Sequence, residues 1–235
     1  LSDLVEEHET LARIITLSGN KTAIDSPLLE EAGVGEELAA RILDSIVMDI
    51  GAPFSERDVE ALKSLAELVL NMYSRRRELE EYIGNLMESV APNMTTLAGP
   101  MVSARLISLA GSLKELARKP SSTIQIYGAE KALFRSMKTK ATPPKHGVIF
   151  QVPLIHSAPY WQRGKLSRAL AGKLTIAARV DAYSDRDIGD NLLEELNSRV
   201  EEIKKQHPEP DEKEEKKKDN THRRPRESKG RGRNR

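Results

Sequence analysis

Apolar residues in the first part of the chain recur every three or four positions, with acids filling the gaps; that spacing marks amphipathic helices. Leu4, Val5, Leu11, Ile14, Ile15 and Leu17 predict a helix over 4–19, ended by Gly19 and Asn20. Asp25-Ser26-Pro27 supplies an N-cap and a first-turn proline for a short helix towards Glu31. Gly33 and Gly35 interrupt the pattern before an amphipathic helix over Glu36–Ile50, and Gly51-Ala52-Pro53 breaks it again. Ser55-Glu56-Arg57-Asp58 resembles a capping box and opens the longest helix, to about Val90. Its apolar positions are Leu62, Leu65, Val69, Met72, Leu79, Ile83, Leu86 and Val90, interrupted only by Arg76. A stripe of this spacing, sustained for roughly four heptads, fits a coiled coil. It also fits an ordinary long helix laid on a core; the strict seam and acidic flanks favour a coiled-coil arm. Helix 4–19 is the expected antiparallel partner, with 20–54 as a helical tip.

After Pro92 the pattern changes. Leu97–Ala117 reads as one helix rich in Gly, Ala and Ser. Thr123-Ile124-Gln125-Ile126-Tyr127 alternates like a short strand and ends at Gly128, and Val148-Ile149-Phe150 is a second strand-like run. Helices are predicted over Ala129–Met137, Gln162–Val180 and Asp187–Gln206, with a proline-stiffened loop at Thr142–Gly147. Beyond His207 no large apolar residue remains, so the tail lacks the means to build a core. The expected architecture is mainly α. It comprises a long antiparallel coiled-coil arm over 1–91, a compact helical domain over 92–207 with room for two very short strands, and a disordered charged tail over 208–235.

Charge divides the chain more sharply than its total of +1 suggests. Residues 1–90 carry nineteen Asp and Glu against eight Lys and Arg, whereas Arg118–Arg179 carries twelve Lys and Arg against the single acid Glu130. A one-sign block of that length is a surface suited to a polyanion, nucleic acid first. Aromatic residues are only 4% of the chain, which leaves phosphate contacts and shape rather than base stacking as the means of binding. Ten further Lys and Arg lie from Lys216 onward and add non-specific RNA affinity. There are no cysteines, and no apolar run approaches the ~20 residues of a membrane helix. The chain opens inside what reads as a helix, so an N-terminal region is expected to have been removed.

Little points to catalysis. His8, His146, His156, His207 and His222 are scattered, and no zinc-protease or nucleotide-loop motif occurs. Tyr127-Gly128-Ala129-Glu130-Lys131 places a glycine just before a helix N-terminus, where backbone N–H groups can meet a phosphate; it equally fits a plain connecting turn. Glu130 either complements the helix N-terminus or accepts hydrogen bonds from base amino groups. Lys145-His146, after a double proline, either enters a groove or covers the core. Val148–Ile155 is either an apolar patch for a protein neighbour or core packing.

These segments carry a resemblance. Ala98–Leu106 (AGPMVSARL), Gly128–Arg135 (GAEKALFR), Pro143–Gly147 (PPKHG) and Ala177–Asp181 (AARVD) are similar to the Nop domain, over residues 3–207. The Gly-Ala-Glu-Lys turn in particular resembles the archaeal scaffold proteins of box C/D small ribonucleoproteins, relatives of the nucleolar Nop proteins and of a spliceosomal processing factor. The resemblance implies a non-catalytic scaffold for guide-RNA-directed 2′-O-methylation, without cofactor or metal, in the cytoplasm of an archaeal cell. It implies binding to a kink-turn RNA together with the small ribosomal-protein-like partner on it, through Gly128, Ala129, Glu130, Lys131, Arg135, Lys138, Lys140, Lys145, His146, Arg163, Lys165 and Arg168. It implies a homodimer, with Leu38, Ile42, Ile46, Leu62, Leu65, Val69 and Met72 as the expected contacts. Fibrillarin methyltransferase would be recruited through an N-terminal domain that this chain lacks.

Overall fold

The computed structural model describes residues 1, 3–47, 54–139 and 141–210; they are mainly helical, and none of them forms a strand. Lys140, the chain break at Gly51-Ala52-Pro53 and most of the tail lie outside the described residues. The chain divides into two compact units, Leu1–Tyr82 and the residues from Ile83 onward.

In the first unit, α1 (His8–Ser18) ends at Gly19, whose φ of 64° and N–H bond to Ile15 O close the helix. Asp25 caps α2 (Ser26–Glu31) by accepting from Leu28 N–H at 3.0 Å, as its position before Ser-Pro predicts. Next comes α3 (Glu36–Val47). The three helices share a small core of Val5, Ile14, Leu29, Ala32, Val34, Ala39 and Ile42. The long helix α4 (Glu56–Val90) opens with a reciprocal box: Ser55 N–H donates to Asp58 Oδ2 at 3.1 Å, and Asp58 N–H to Ser55 Oγ at 3.3 Å. It runs antiparallel to α1. Arg77 reaches Glu9 at 2.8 Å, beside the start of α1, while a Cβ at Gly19 would strike Lys63 and Val59.

The seam on α4 is two stripes rather than one. Leu62, Ala66 and Val69 are at least partly buried, but Leu65, Leu68, Met72, Leu79 and Tyr82 are each more than half exposed. Ile42 has no exposed surface, and Leu38 and Ile46 pack partly buried beside it. Ile42 is therefore a core residue of the tip.

In the second unit, the last turns of α4 contribute Ile83 and Met87 to a larger core. The division thus falls inside α4, before the junction expected at 91/92. Three helices then replace the single one expected over 97–117: α5 (Pro92–Ala98), α6 (Pro100–Ala110) and α7 (Leu113–Ala117). Gly99 (φ 78°) with Pro100, and Gly111 (φ 93°) with the N-cap of Ser112, make the two breaks. Of the strand-like Thr123–Tyr127, the stretch 123–126 is helical, within α8 (Ser121–Ile126), and Tyr127 is its C-cap. Pro120 starts that helix, and its single buried side chain, Ile124, belongs to the main core. Packing on one face has overridden β-branched propensity. After α9 (Glu130–Lys138), the second strand-like run is a 3₁₀ turn over Val148–Gln151. The two segments do meet, through Gly147 N–H to Gln125 O (2.9 Å) and Val148 N–H to Tyr127 O (2.7 Å).

Helix α10 (Pro153–His156) leads into α11 (Tyr160–Tyr183), the centre of this unit. Leu166, Leu170, Leu174, Ala177 and Ala178 of α11 are completely buried, against α5, α7, α8 and the final helix α12 (Gly189–Gln206). One polar latch runs through this core. Asp181 accepts from Asn93 Nδ2 (2.6 Å) and Met94 N–H (3.0 Å), and Asn93 accepts from Ile188 N–H (2.7 Å).

Candidate nucleic-acid interface

The turn before α9 is built by two glycines and one acid. Gly128 has φ 84°, and a Cβ there would lie 2.5 Å from Val148 Cγ2. A Cβ at Gly147 would run into Tyr127 O and lie 2.7 Å from the Ile126 carbonyl carbon. The absence of both side chains lets the turn and the 3₁₀ segment touch backbone to backbone. Glu130 Oε1 accepts from Gly128 N–H at 2.7 Å, so the one acid of the basic block fixes the shape of its own turn. Burial, followed by the nearby Glu130 and Glu115 charges, raises the Tyr127 phenol.

From that turn α9 stands unlike any other helix of its length here, because none of its nine residues is buried. Lys131, Arg135 and Lys138 are exposed and have no ion-pair partner among the described residues. Phe134 and Met137, one turn apart, are 59% and 74% exposed. Sequence reasoning overlooked this apolar pair; the signal was the i, i+3 spacing of two large apolar residues between cations. Of the two readings of Val148–Ile155, the structure agrees with core packing, since Ile149 and Ile155 are fully buried.

The Pro-Pro-Lys-His loop is held from below. Gln125 Nε2 donates to Lys145 O at 2.7 Å, and His146 stacks on Phe150 with ring centres 4.5 Å apart. Arg163 lies over the other ring partner, 5.2 Å from the Phe150 centroid, and donates to Ala158 O (2.8 Å) and His156 O (3.1 Å). Arg163 is therefore a clamp under the loop, with its guanidinium already committed. Burial first, then the charges of Arg163 and Lys145, lower the His146 pKa from its ordinary value of 6.5. Beside the loop lies a groove of about 360 Å³ between Pro143, Pro144 and Lys145 on one side and Gly164, Lys165 and Arg168 on the other. The stem of Lys145 crosses Gly164, where a Cβ would stand 3.2 Å from Lys145 Cδ. The structure thus groups Lys145, Lys165 and Arg168 around one groove, and Lys131, Arg135 and Lys138 on one short helix.

The family model described as Nop, snoRNA binding domain, fibrillarin, matches residues 1–202. The chain belongs to the Nop family. An uncharacterized NOP5 family protein of Methanocaldococcus jannaschii is 45% identical over 210 residues, 89% of this chain and 50% of that protein. Nucleolar protein 58 of Schizosaccharomyces pombe is 40% identical over 202 residues, 86% of this chain and 40% of its own length. Nucleolar protein 56 of the same yeast is 41% identical over 189 residues, 79% and 38%. A chain from a crystal structure titled fibrillarin/Nop5p complex is similar at 30% identity with a TM-score of 0.49, covering 86% of this chain and 71% of that one. The chain spans half or less of the length of these curated relatives.

Within this Nop domain the four motif segments have distinct physical tasks. Gly99 of the first motif turns α5 into α6, and Ser103 donates to Met94 O at 3.0 Å across that corner. The second and third motifs supply the Gly128 and Gly147 contact and the loop over Phe150. In the fourth, Arg179 Nε donates to Ala117 O at 3.1 Å at the end of α7, and Asp181 receives the N-terminal amides of α5. Three of the four therefore shape the scaffold, while the second exposes Lys131 and Arg135, which have no ion-pair partner among the described residues.

Proposed function

We propose that this chain is a non-catalytic scaffold of an archaeal box C/D ribonucleoprotein, working in the cytoplasm in guide-directed RNA 2′-O-methylation. The turn Gly128–Lys131, α9 and the Pro143–His146 loop contact a kink-turn RNA together with the small ribosomal-protein-like partner seated on it. The observation that carries this reading is α9, where Lys131, Arg135 and Lys138, without ion-pair partners among the described residues, flank exposed Phe134 and Met137. Cations without partners suit phosphates, and an uncovered aromatic–Met pair suits a protein neighbour. The second apolar stripe of α4 pairs with another copy of the chain, spacing two RNA sites. Fibrillarin is recruited through an N-terminal domain of the kind the family resemblance implies. Fluorescence anisotropy with labelled kink-turn RNA, with and without the small protein, tests the reading. The composite is expected to bind far more tightly than bare RNA; equal affinity for both would overturn it.

A further inference from the structure

The chain leaves its last helix at a fixed point. His207 O accepts from Trp161 Nε1 at 3.1 Å and from Gln162 Nε2 at 2.7 Å, and Gln162 is 5% exposed. These bonds tie the exit to the first turns of α11. Between α11 and α12 runs an open groove of about 540 Å³, and Gln206 and His207 are part of its wall. Its floor is apolar, including Ile176, which is 43% exposed. Lys165, Arg168, Lys173 and Arg199 line it, and among the described residues no carboxylate does. Lys173 pairs with Glu195 and Arg199 with Glu202 from outside the wall; Arg168 has no ion-pair partner among the described residues.

The sequence that follows this exit is the complement of the groove. Glu209, Asp211, Glu212, Glu214 and Glu215 place five acids against the single cation Lys213, before the run of lysines from Lys216. We propose that the acidic segment Glu209–Glu215 docks in the α11–α12 groove when no RNA is bound, and competes there with weakly held polyanions. Reach permits it. Asp211 stands four residues past His207, about 14 Å at full extension, and Lys165 to Lys173 spans about 12 Å of helix. Exposed ion pairs are individually weak, but so short a tether raises the effective concentration of the acids to the millimolar range. Lys165 and Arg168 also line the groove beside the Pro143–Lys145 loop, so the docked segment covers cations that RNA would otherwise meet. A ligand held only by phosphate contacts has to displace it; one held by specific contacts as well is less affected. Docking itself is independent of the functional reading above, and only its consequence for RNA rests on that reading.

The absence of cysteine makes the docking directly measurable in the full chain. A spin label on Lys213→Cys is expected to broaden the amide signals of Gly172, Ile176 and Arg199 at 50 mM salt. At 1 M salt, where the Debye length is about 3 Å, the broadening should vanish. Broadening that is absent at low salt, is confined to residues next to His207, or is unchanged at high salt overturns the docking. In a second arm, E209Q, D211N, E212Q, E214Q and E215Q are combined and binding to a 20-nucleotide oligouridylate is measured. Affinity should rise about fivefold or more, and the gain should disappear when Arg168→Glu is added. If neutralisation changes nothing while Arg168→Glu alone weakens binding, the groove takes RNA rather than the tail and the proposal is wrong. A retained label effect with kink-turn affinity that rises as much as oligouridylate affinity would instead leave the docking standing and count against the functional reading, in which the kink-turn is held by specific contacts as well.

Discussion

Replacing Leu65 and Met72 by aspartate in the full chain separates the two stripes of α4. Both residues lie on the uncovered stripe, two turns apart, and are 59% and 61% exposed. Fully burying a Leu or Met side chain contributes about 1.5–3 kcal/mol. With somewhat more than half of each surface uncovered, each has about 1–2 kcal/mol still to gain from a partner. A two-fold interface uses each position twice, so the pair offers roughly 4–8 kcal/mol before the costs of association. The L65D/M72D chain is therefore expected to dissociate at least about 100-fold more readily than the wild type, ~2.8 kcal/mol. Sedimentation velocity at micromolar concentration measures it: wild type as dimer, variant as monomer. Helix content by circular dichroism should stay the same, because neither side chain packs inside the described fold. Ile42→Ala is the contrasting control. Its side chain is fully buried in the tip, so truncation should cost about 2–5 kcal/mol of stability. A wild-type monomer at tens of micromolar, or a variant that dimerises as well as wild type, would refute the reasoning.

Three further outcomes are expected. Lys131→Ala should lower kink-turn affinity and reduce the salt slope by about one, whereas Glu130→Ala should relax discrimination between matched and mismatched kink-turns more than it weakens binding. Glu130→Gln, which keeps an acceptor for Gly128 N–H, then shows whether turn shape or charge matters; equal, small effects on matched and mismatched RNA in anisotropy would return the turn to a purely structural role. Gly147→Ala should lower the melting temperature in calorimetry, since its Cβ meets the backbone of Ile126 and Tyr127; an unchanged melting temperature would show that the backbone yields at no cost. His146 binds its proton less readily when folded, because its pKa is lowered from 6.5. Stability should be complete above about 6.5 and fall as the pH drops below it; urea midpoints of wild type and His146→Gln at pH 7.5 and 5.5 should therefore diverge, and parallel curves would count against the stacked, half-buried geometry.

The positions that sequence alone located best are those whose signal is local. Asp25 before Ser-Pro and Ser55 with Asp58 describe caps completed within one turn, and the structure contains both bonds. Where the outcome depends on a distant partner, local pattern misled. Thr123–Tyr127 alternates as a strand does, yet Ile124 joins a core centred on α11, far along the chain, and one buried side chain in six residues is served equally well by a helix. Small residues over 97–117 suggested one closely packed helix; the positive φ of Gly99 and Gly111 shows that two of them serve corners instead.

The same distinction governs the candidate interface. A count of Lys and Arg between 118 and 179 treats every cation as available, but the structure sorts them by what already holds them. Arg163 is spent on two carbonyls and the Phe150 ring, and Arg179 on Ala117 O. Lys173 is paired with Glu195. Lys131, Arg135 and Lys138 share α9 with no such partner among the described residues. The helix α9 leaves the core after a glycine turn, and none of its nine residues is buried. The binding surface is thus set by backbone geometry at Gly128 and Gly147 as much as by charge. A variant that adds a lysine elsewhere on the block should raise non-specific RNA affinity without improving recognition of the kink-turn.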